Sequence, residues 1–271
     1  MLETIDLSLI VPCRLDSKER VENLSTALKY YTSFCANAEI HVVEDTATSS
    51  RNSIGERPGV HWHYLPARGN FHKTRILNFG FFEVSNRPFV AAMDADVLVD
   101  PAAVHSALEL LRSGSGMVMP FDGRFYNVKD PWRSEVISST TPAEVILKLF
   151  ESLTSGRKEL PGVELKHPRS PGGAVFFSRS ALQEFGGYDE RFKTWGYEDV
   201  EIVGRAKRFG HDPVYSESEP LLHLWHPRFR KNFMWYIWPN RNRALLNSAR
   251  ELDRASILSM VSAGVYGAVK R

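Results

Sequence analysis

Met93-Asp94-Ala95-Asp96-Val97 sets two carboxylates one residue apart, directly after the apolar run Phe89-Val90-Ala91-Ala92. A strand that ends in Asp-x-Asp can aim hard oxygen ligands at a divalent cation, and such a cation is what a diphosphate leaving group needs. Leu222-His223-Leu224-Trp225-His226-Pro227 adds two imidazoles. Residues three apart on a regular strand face opposite sides, so both histidines meet one ion only if the segment bends, and spacing alone supports one ligand.

A third group of functional side chains is Thr194-Trp195-Gly196-Tyr197-Glu198-Asp199-Val200-Glu201, just before the helical pattern Ile202 to Phe209. Acids in a first helical turn complement the helix dipole, which accounts for Glu201 better than for Trp195-Gly196. Tryptophan beside glycine can form a movable apolar wall over a sugar, with one following acid serving as base and the other accepting hydrogen bonds from hydroxyls.

The elements that must position these groups follow from periodicity. Leu7 to Val11 reads as a buried strand ended by Pro12, and Val21 to Phe34 as a helix. Ile40 to Val43 is a second strand ending at Glu44-Asp45, and Val60 to Leu65 a third after a polar loop from Thr46 to Gly59. Helical character over Phe71 to Glu83 precedes the strand Phe89 to Met93, and Pro101 opens a helix to Arg112. Alternation of strand and helix predicts an α/β fold with a mostly parallel central sheet flanked by helices. Ligands of such sheets lie beyond the carboxyl ends of the strands, so Pro12-Cys13-Arg14, Glu44-Asp45 and Asp94-Ala95-Asp96 should converge on one cleft. The second half is less periodic, with a polar region from Asn127 to Pro142 and a loop expected from Gly156 to Pro171.

The chain has 271 residues, 43% of them hydrophobic, enough for a sizeable core. A net charge of +2 argues against a nucleic-acid-binding domain. Arg228-Phe229-Arg230-Lys231 with Trp235, Tyr236, Trp238 and Arg241 is instead expected to border a groove or cover the core. Cys13 and Cys35 are the only cysteines, which fits a reducing, cytoplasmic compartment. No signal peptide is expected at the N-terminus, and no apolar run reaches the roughly 20 residues of a membrane span. The apolar stretch Ile257 to Val269 is expected to pack on the body, with peripheral membrane contact as the alternative. No G-x-G-x-x-G follows the first strand and no phosphate-binding P-loop occurs.

Together these motifs resemble metal-dependent nucleotide-sugar glycosyltransferases of the GT-A fold, especially the β-1,4-galactosyltransferase group and its bacterial chondroitin-polymerase-like relatives, from about Leu7 to Pro227. Pro12-Cys13-Arg14 matches the family's Pro-x-Arg turn, whose Arg helps hold the nucleotide. Phe71-His72-Lys73-Thr74-Arg75-Ile76-Leu77-Asn78-Phe79-Gly80-Phe81 looks like its Phe-Asn-Arg-Ala-Lys-Leu-Leu-Asn-x-Gly-Phe helix, with Lys73 and Arg75 on the basic positions. Gly172-Gly173 matches a Gly-Gly where backbone approaches the donor, and Trp195 to Glu201 resembles Trp-Gly-x-Glu-Asp-x-Asp.

The resemblance implies that Asp96 and His226, with His223 where animal enzymes carry methionine, hold Mn²⁺ or Mg²⁺. It implies Asp94 near the ribose, Asp199 as base and Glu198 as an acceptor-binding acid. Pro12, Arg14, Asp45, Lys73, Arg75, Asp94, Gly173 and Trp195 become the donor-binding set. Implied organisation is one domain: a nucleotide-binding half over 1–115, an acceptor and catalytic half over 116–230, and a helical extension over 231–271. The implied reaction is inverting transfer of a hexose or N-acetylhexosamine from UDP-Gal, UDP-GalNAc or UDP-Glc. A saccharide, lipid-linked saccharide, peptide or small molecule would be the acceptor, and no protein partner is required. Tyr197 in place of a usual Gly, Glu201 in place of an Asp and Cys13 in place of an apolar residue depart from the pattern. A nucleotidyltransferase and a non-catalytic sugar-binding protein are the alternative readings.

Overall fold

The computed structural model describes residues 6–35, 37–46, 51–67, 69–155, 160–217, 219–227 and 233–267. In chain order the strands of the first half are β1 (Leu7–Cys13), β2 (Glu39–Asp45), β3 (Val60–Leu65), β4 (Phe89–Met93) and β5 (Val97–Leu98). Those of the second half are β6 (Met117–Met119), β7 (Phe125–Val128), β8 (Val163–His167), β9 (Ala174–Ser178), β10 (Val214–Tyr215) and β11 (Leu221–Leu224). The helices are α1 (Lys18–Phe34), α2 (Lys73–Phe79), α3 (Pro101–Arg112), α4 (Trp132–Ser138), α5 (Pro142–Thr154) and α6 (Arg179–Phe185). Then follow α7 (Glu198–Arg208), α8 (Phe233–Arg250) and α9 (Arg254–Ser262).

Seven strands form the main sheet in the order β10-β6-β9-β4-β1-β2-β3. The β1, β2, β3 and β4 neighbours pair in parallel, as does β10 with β6, whereas β9 runs antiparallel to both β4 and β6. The mostly parallel α/β sheet expected from strand and helix alternation is therefore present. All seven residues of β1 are buried, as befits a strand covered on both faces. β1 does not stop at Pro12, as its sequence predicted, but runs on to Cys13. β4 pairs only as far as Ile10, so a proline two residues later takes no donor from the ladder on that side, and the strand continues along β2.

The helix expected over Phe71 to Glu83 is α2 followed by a π-helical turn at Gly80–Val84. A Cβ on Gly80 would lie 2.2 Å from Ile10, so glycine lets this turn press against β1. At α3, Pro101 sits in the first turn as predicted, and Asp100 caps the helix by accepting from the Ala102 N–H.

A second sheet, β5-β11-β7-β8, was not foreseen. It corrects two sequence expectations, because the loop predicted over Gly156 to Pro171 contains β8 and the polar region Asn127 to Pro142 contains α4. β8 is an edge strand with Leu165 half exposed between Glu164 and Lys166, so it lacks the apolar run that marks a strand. This small sheet brings residues from near the middle and the end of the chain beside Asp96.

The described part of Ile257 to Val269 packs on the body as expected: Ile257 and Tyr266 are buried, with the Arg205 guanidinium 3.8 Å over the Tyr266 ring. No helix among the described residues is long and apolar enough to cross a membrane.

Candidate active site

The cleft opens at the carboxyl ends of β1 and β4. Its walls include Pro12, Arg14, Lys73, Asp94, Asp96, Gly172, Gly173, Trp195, Glu198, Asp199, His223 and His226. Nearly all the residues singled out from sequence thus meet on one surface. Asp45 and Arg75 are the two exceptions. Asp45 is buried behind the wall, where its carboxylate pairs with the Arg14 guanidinium at 2.5 Å. Its contribution is to hold Arg14 over Phe71, 5.8 Å from the ring centroid. Arg75 does not line the cleft and donates instead to the Pro66 carbonyl at 3.4 Å. Lys73 and Arg75 are two residues apart on α2, about 200° around the axis, so only one of them can face the cleft.

Asp96, His223 and His226 bring a carboxylate and two imidazoles together, and among the described residues this is the single cluster able to hold a metal. Asp96 Oδ2 lies 3.0 Å from His226 Nε2 and 3.6 Å from His223 Nε2. The bend that spacing alone left open is present. β11 ends at Leu224, whose N–H donates to the Asp96 carbonyl, and Trp225 N–H then turns to the Val128 carbonyl. Asn23 on α1 donates to the Leu224 carbonyl at 2.7 Å and secures this corner. His223 Nδ1 lies 2.7 Å from Asn127 Oδ1, and His226 Nδ1 lies 2.9 Å from the Pro227 carbonyl. Those acceptors select the Nδ1–H tautomer and leave both Nε2 lone pairs toward Asp96, the arrangement of metal-binding histidines. Three acceptors this close require a cation or a proton between them. With a proton there, and against the opposing effect of burial, the two imidazoles hold the Asp96 carboxyl well below the usual carboxylate range.

Beside this cluster, Lys73 Nζ stands 2.9 Å from Asp94, 3.5 Å from Asp199 and 3.8 Å from Glu198. Burial opposes its charge, yet the three carboxylates raise its pKa well above the ordinary lysine value. One ammonium cannot balance three acids set this close together. Burial, followed by the neighbouring Asp199 charge, lifts Glu198 to about 7. Burial likewise raises Asp94. Asp199 Oδ1 accepts from the buried Tyr188 hydroxyl at 3.2 Å.

Gly172 and Gly173 have separate reasons to be glycine. A Cβ on Gly172 would fall 2.1 Å from Asp199 Oδ2, so its absence makes room for that carboxylate. Gly173 has φ +100°, and its carbonyl accepts from Asp94 N–H at 2.9 Å, tying the acidic turn to β9. The segment before Glu198 is unusual: Thr194 and Tyr197 adopt φ 63° and 76°, with Gly196 at 107° between them. The Gly196 N–H donates to Glu198 Oε2 at 2.9 Å, and Trp195 is 58% exposed at the cleft mouth.

Asn127, Tyr188, Asn242 and Arg243 are site residues that no sequence signal assigned. Each acts across more than ten positions, through a partner that local spacing does not identify. The basic run Arg228 to Lys231, and the side chains of Trp235 and Tyr236, lie outside the described residues. Trp238, from the same aromatic group, receives Lys193 and Arg241 over its ring at 5.6 and 5.4 Å, beside the cleft rather than apart from it.

A model described as the N-terminal domain of galactosyltransferase matches residues 158–219, the stretch containing Gly172, Gly173, Trp195, Glu198 and Asp199. No curated protein gives a significant match. Among solved structures, a Drosophila β-1,4-galactosyltransferase 7 mutant in complex with manganese, UDP-Gal and xylobiose is 15% identical, over 88% of this chain and 79% of that one, with a TM-score of 0.52. Glucosyl-3-phosphoglycerate synthase from Mycobacterium tuberculosis, with Mn²⁺, UDP and phosphoglyceric acid, is 13% identical over 91% and 78%, TM-score 0.54. A Pyrobaculum calidifontis mannosyltransferase with GDP-Man and Mn²⁺ is 15% identical over 96% and 69%, TM-score 0.55. The chain therefore has the GT-A fold of these sugar-nucleotide transferases, and its stretch from Gly172 to Asp199 lies within the match to the galactosyltransferase model.

Proposed function

We propose that this protein is a divalent-metal-dependent, inverting glycosyltransferase that moves a hexose or N-acetylhexosamine from a UDP-sugar to an acceptor hydroxyl. The observation that carries the reading is the meeting of Asp96, His223 and His226 with the Lys73, Asp94, Glu198 and Asp199 cluster in one cleft. Asp96 and the two Nε2 atoms offer a mixed oxygen and nitrogen set for a divalent first-row ion, with the carboxylate the donor that suits Mn²⁺. Such an ion, when bound, neutralises charge on the departing diphosphate.

The other roles belong to the chain's own residues. Arg14, braced by Asp45, faces the nucleotide end of the cleft. Asp199 accepts the proton of the acceptor hydroxyl while that oxygen bonds to the anomeric carbon. The bond from that carbon to the diphosphate oxygen breaks, and its electron pair leaves with UDP. Lys73 Nζ, 3.5 Å from Asp199 Oδ2, holds that carboxylate in the cleft wall. Glu198, fixed by the Gly196 N–H, accepts a second acceptor hydroxyl. One carboxylate base suffices, whereas a glycoside hydrolase pairs two across the bond. An α-linked donor would give a β-linked product.

Calorimetric and thermal-shift titration with UDP, GDP, CMP and several UDP-sugars, with and without Mn²⁺, tests the reading. UDP binding that requires Mn²⁺ and vanishes in Asp96→Ala is the expected result. Failure of every nucleotide to bind the wild-type protein would sink it.

A further inference from the structure

Three side chains of α8 reach the segment that leads into Glu198 and Asp199. Trp238 carries the Lys193 ammonium 5.6 Å from its ring centroid. Asn242 is buried to 1% exposure, and its amide donates to the carbonyls of Lys193 at 2.9 Å, Gly196 at 3.1 Å and Trp195 at 3.4 Å. Its Oδ1 accepts from Lys193 N–H at 3.5 Å. One residue further on, Arg243 Nε donates to the Tyr197 hydroxyl at 3.0 Å.

The gripped segment is strained. Thr194 and Tyr197 hold left-handed backbone without being glycine, a conformation that persists only where surroundings over-determine it. A buried asparagine whose polar atoms are all spent on three residues of one loop, Lys193, Trp195 and Gly196, is such a surrounding. The loop carries Trp195 at the cleft mouth, and both Tyr197 and Arg243 line the cleft.

We propose that α8 completes the acceptor half of the site: Asn242 is a positioning residue that fixes Lys193 to Gly196, and the Tyr197–Arg243 pair forms the wall facing the acceptor. Asn242 thereby sets where Trp195 overhangs the cleft and where α7 begins, and hence the positions of Glu198 and Asp199. The proposal deepens the transferase reading and rests on it. Tyr197, the departure from the glycine usual in the resembled motif, acquires a purpose, since only a side chain reaching α8 can receive the Arg243 bond.

The test uses the full chain as Asn242→Ala, Asn242→Asp and Tyr197→Phe. Three quantities are measured: UDP affinity with Mn²⁺, amide exchange over residues 194–198, and kcat and KM for UDP-galactose hydrolysis with Mn²⁺, water taking the acceptor's place. Both Asn242 variants should bind UDP within about twofold of wild type and exchange this segment about tenfold faster, the effect of losing one net hydrogen bond. Their kcat should fall by about a hundredfold at nearly constant KM, as for a base moved by about 1 Å. Aspartate has the shape of asparagine but cannot donate to three carbonyls, so it should not rescue the alanine variant. Tyr197→Phe, which keeps the ring and loses only the Arg243 bond, should show a smaller change in the same direction. Wild-type exchange at 194–198 in both Asn242 variants, or full recovery in Asn242→Asp, would overturn the proposal. If the wild-type protein binds no UDP, the transferase reading falls, while the exchange measurement still decides whether Asn242 holds the loop.

Discussion

Lys73 Nζ lies 3.5 Å from Asp199 Oδ2 inside a cluster that also contains Asp94 and Glu198. The cation that resemblance would give to a phosphate therefore also pairs with Asp199, the base of the proposed reaction. Replacing Lys73 by Met leaves three carboxylates without their common counter-charge. We expect a stability loss of about 2 kcal/mol at pH 8, measured by urea unfolding, less than for a fully buried pair because Asp94 and Asp199 stay partly in solvent. The deficit should shrink at pH 5.5, where the acids can take up protons instead.

Glu198 gives the wild-type protein its own pH signature. Its folded value of about 7 lies above the ordinary glutamate value of 4.5, so between those limits the folded state binds more protons than the unfolded state. Stability from this group is consequently present at low pH and is lost as pH rises toward 7. Glu198→Gln removes the dependence. Between pH 4.5 and pH 8 the stability of Glu198→Gln relative to wild type should rise by on the order of 3 kcal/mol, the free-energy equivalent of the shift. Parallel urea-derived stability curves for the two proteins across this range would refute the burial argument.

Asn127 should matter for metal although it offers the ion no ligand. Its Oδ1 orients His223 from 2.7 Å, and loss of such an orienting partner typically weakens metal binding by about 10–100-fold. Asn127→Leu should weaken Mn²⁺ binding to this extent in a calorimetric titration, and His226→Gln should weaken it further. An unchanged affinity in Asn127→Leu would mean that His223 is not a ligand.

Gly172→Ala tests the room left for Asp199. The added Cβ would meet Oδ2 at 2.1 Å and Cγ at 2.3 Å, so the carboxylate must move. UDP–Mn²⁺ affinity should stay within about threefold while turnover falls by about a hundredfold, the effect of displacing a reacting group by about 1 Å. Equal losses in binding and turnover would instead place Gly172 at the donor.

The amino-acid sequence by itself determined the alternation of strand and helix, the arrival of Asp94 and Asp96 at a strand end, and the acids at the start of α7, because each depends on neighbours within a few positions. It also located Gly172-Gly173, though not that one glycine makes space for Asp199 while the other turns the backbone. Only the tertiary structure decided that His223 and His226 share Asp96, since that requires β11 to lie between β5 and β7 and then bend at Leu224. It likewise chose Lys73 over Arg75, because facing follows from how α2 seats on β1 and not from charge. β8 escaped notice because an edge strand with exposed Glu164, Leu165 and His167 shows no apolar run. The bonds from α8 to the loop before Glu198 span nearly 50 positions, and contacts at that separation are set by packing of the whole chain rather than by any local pattern.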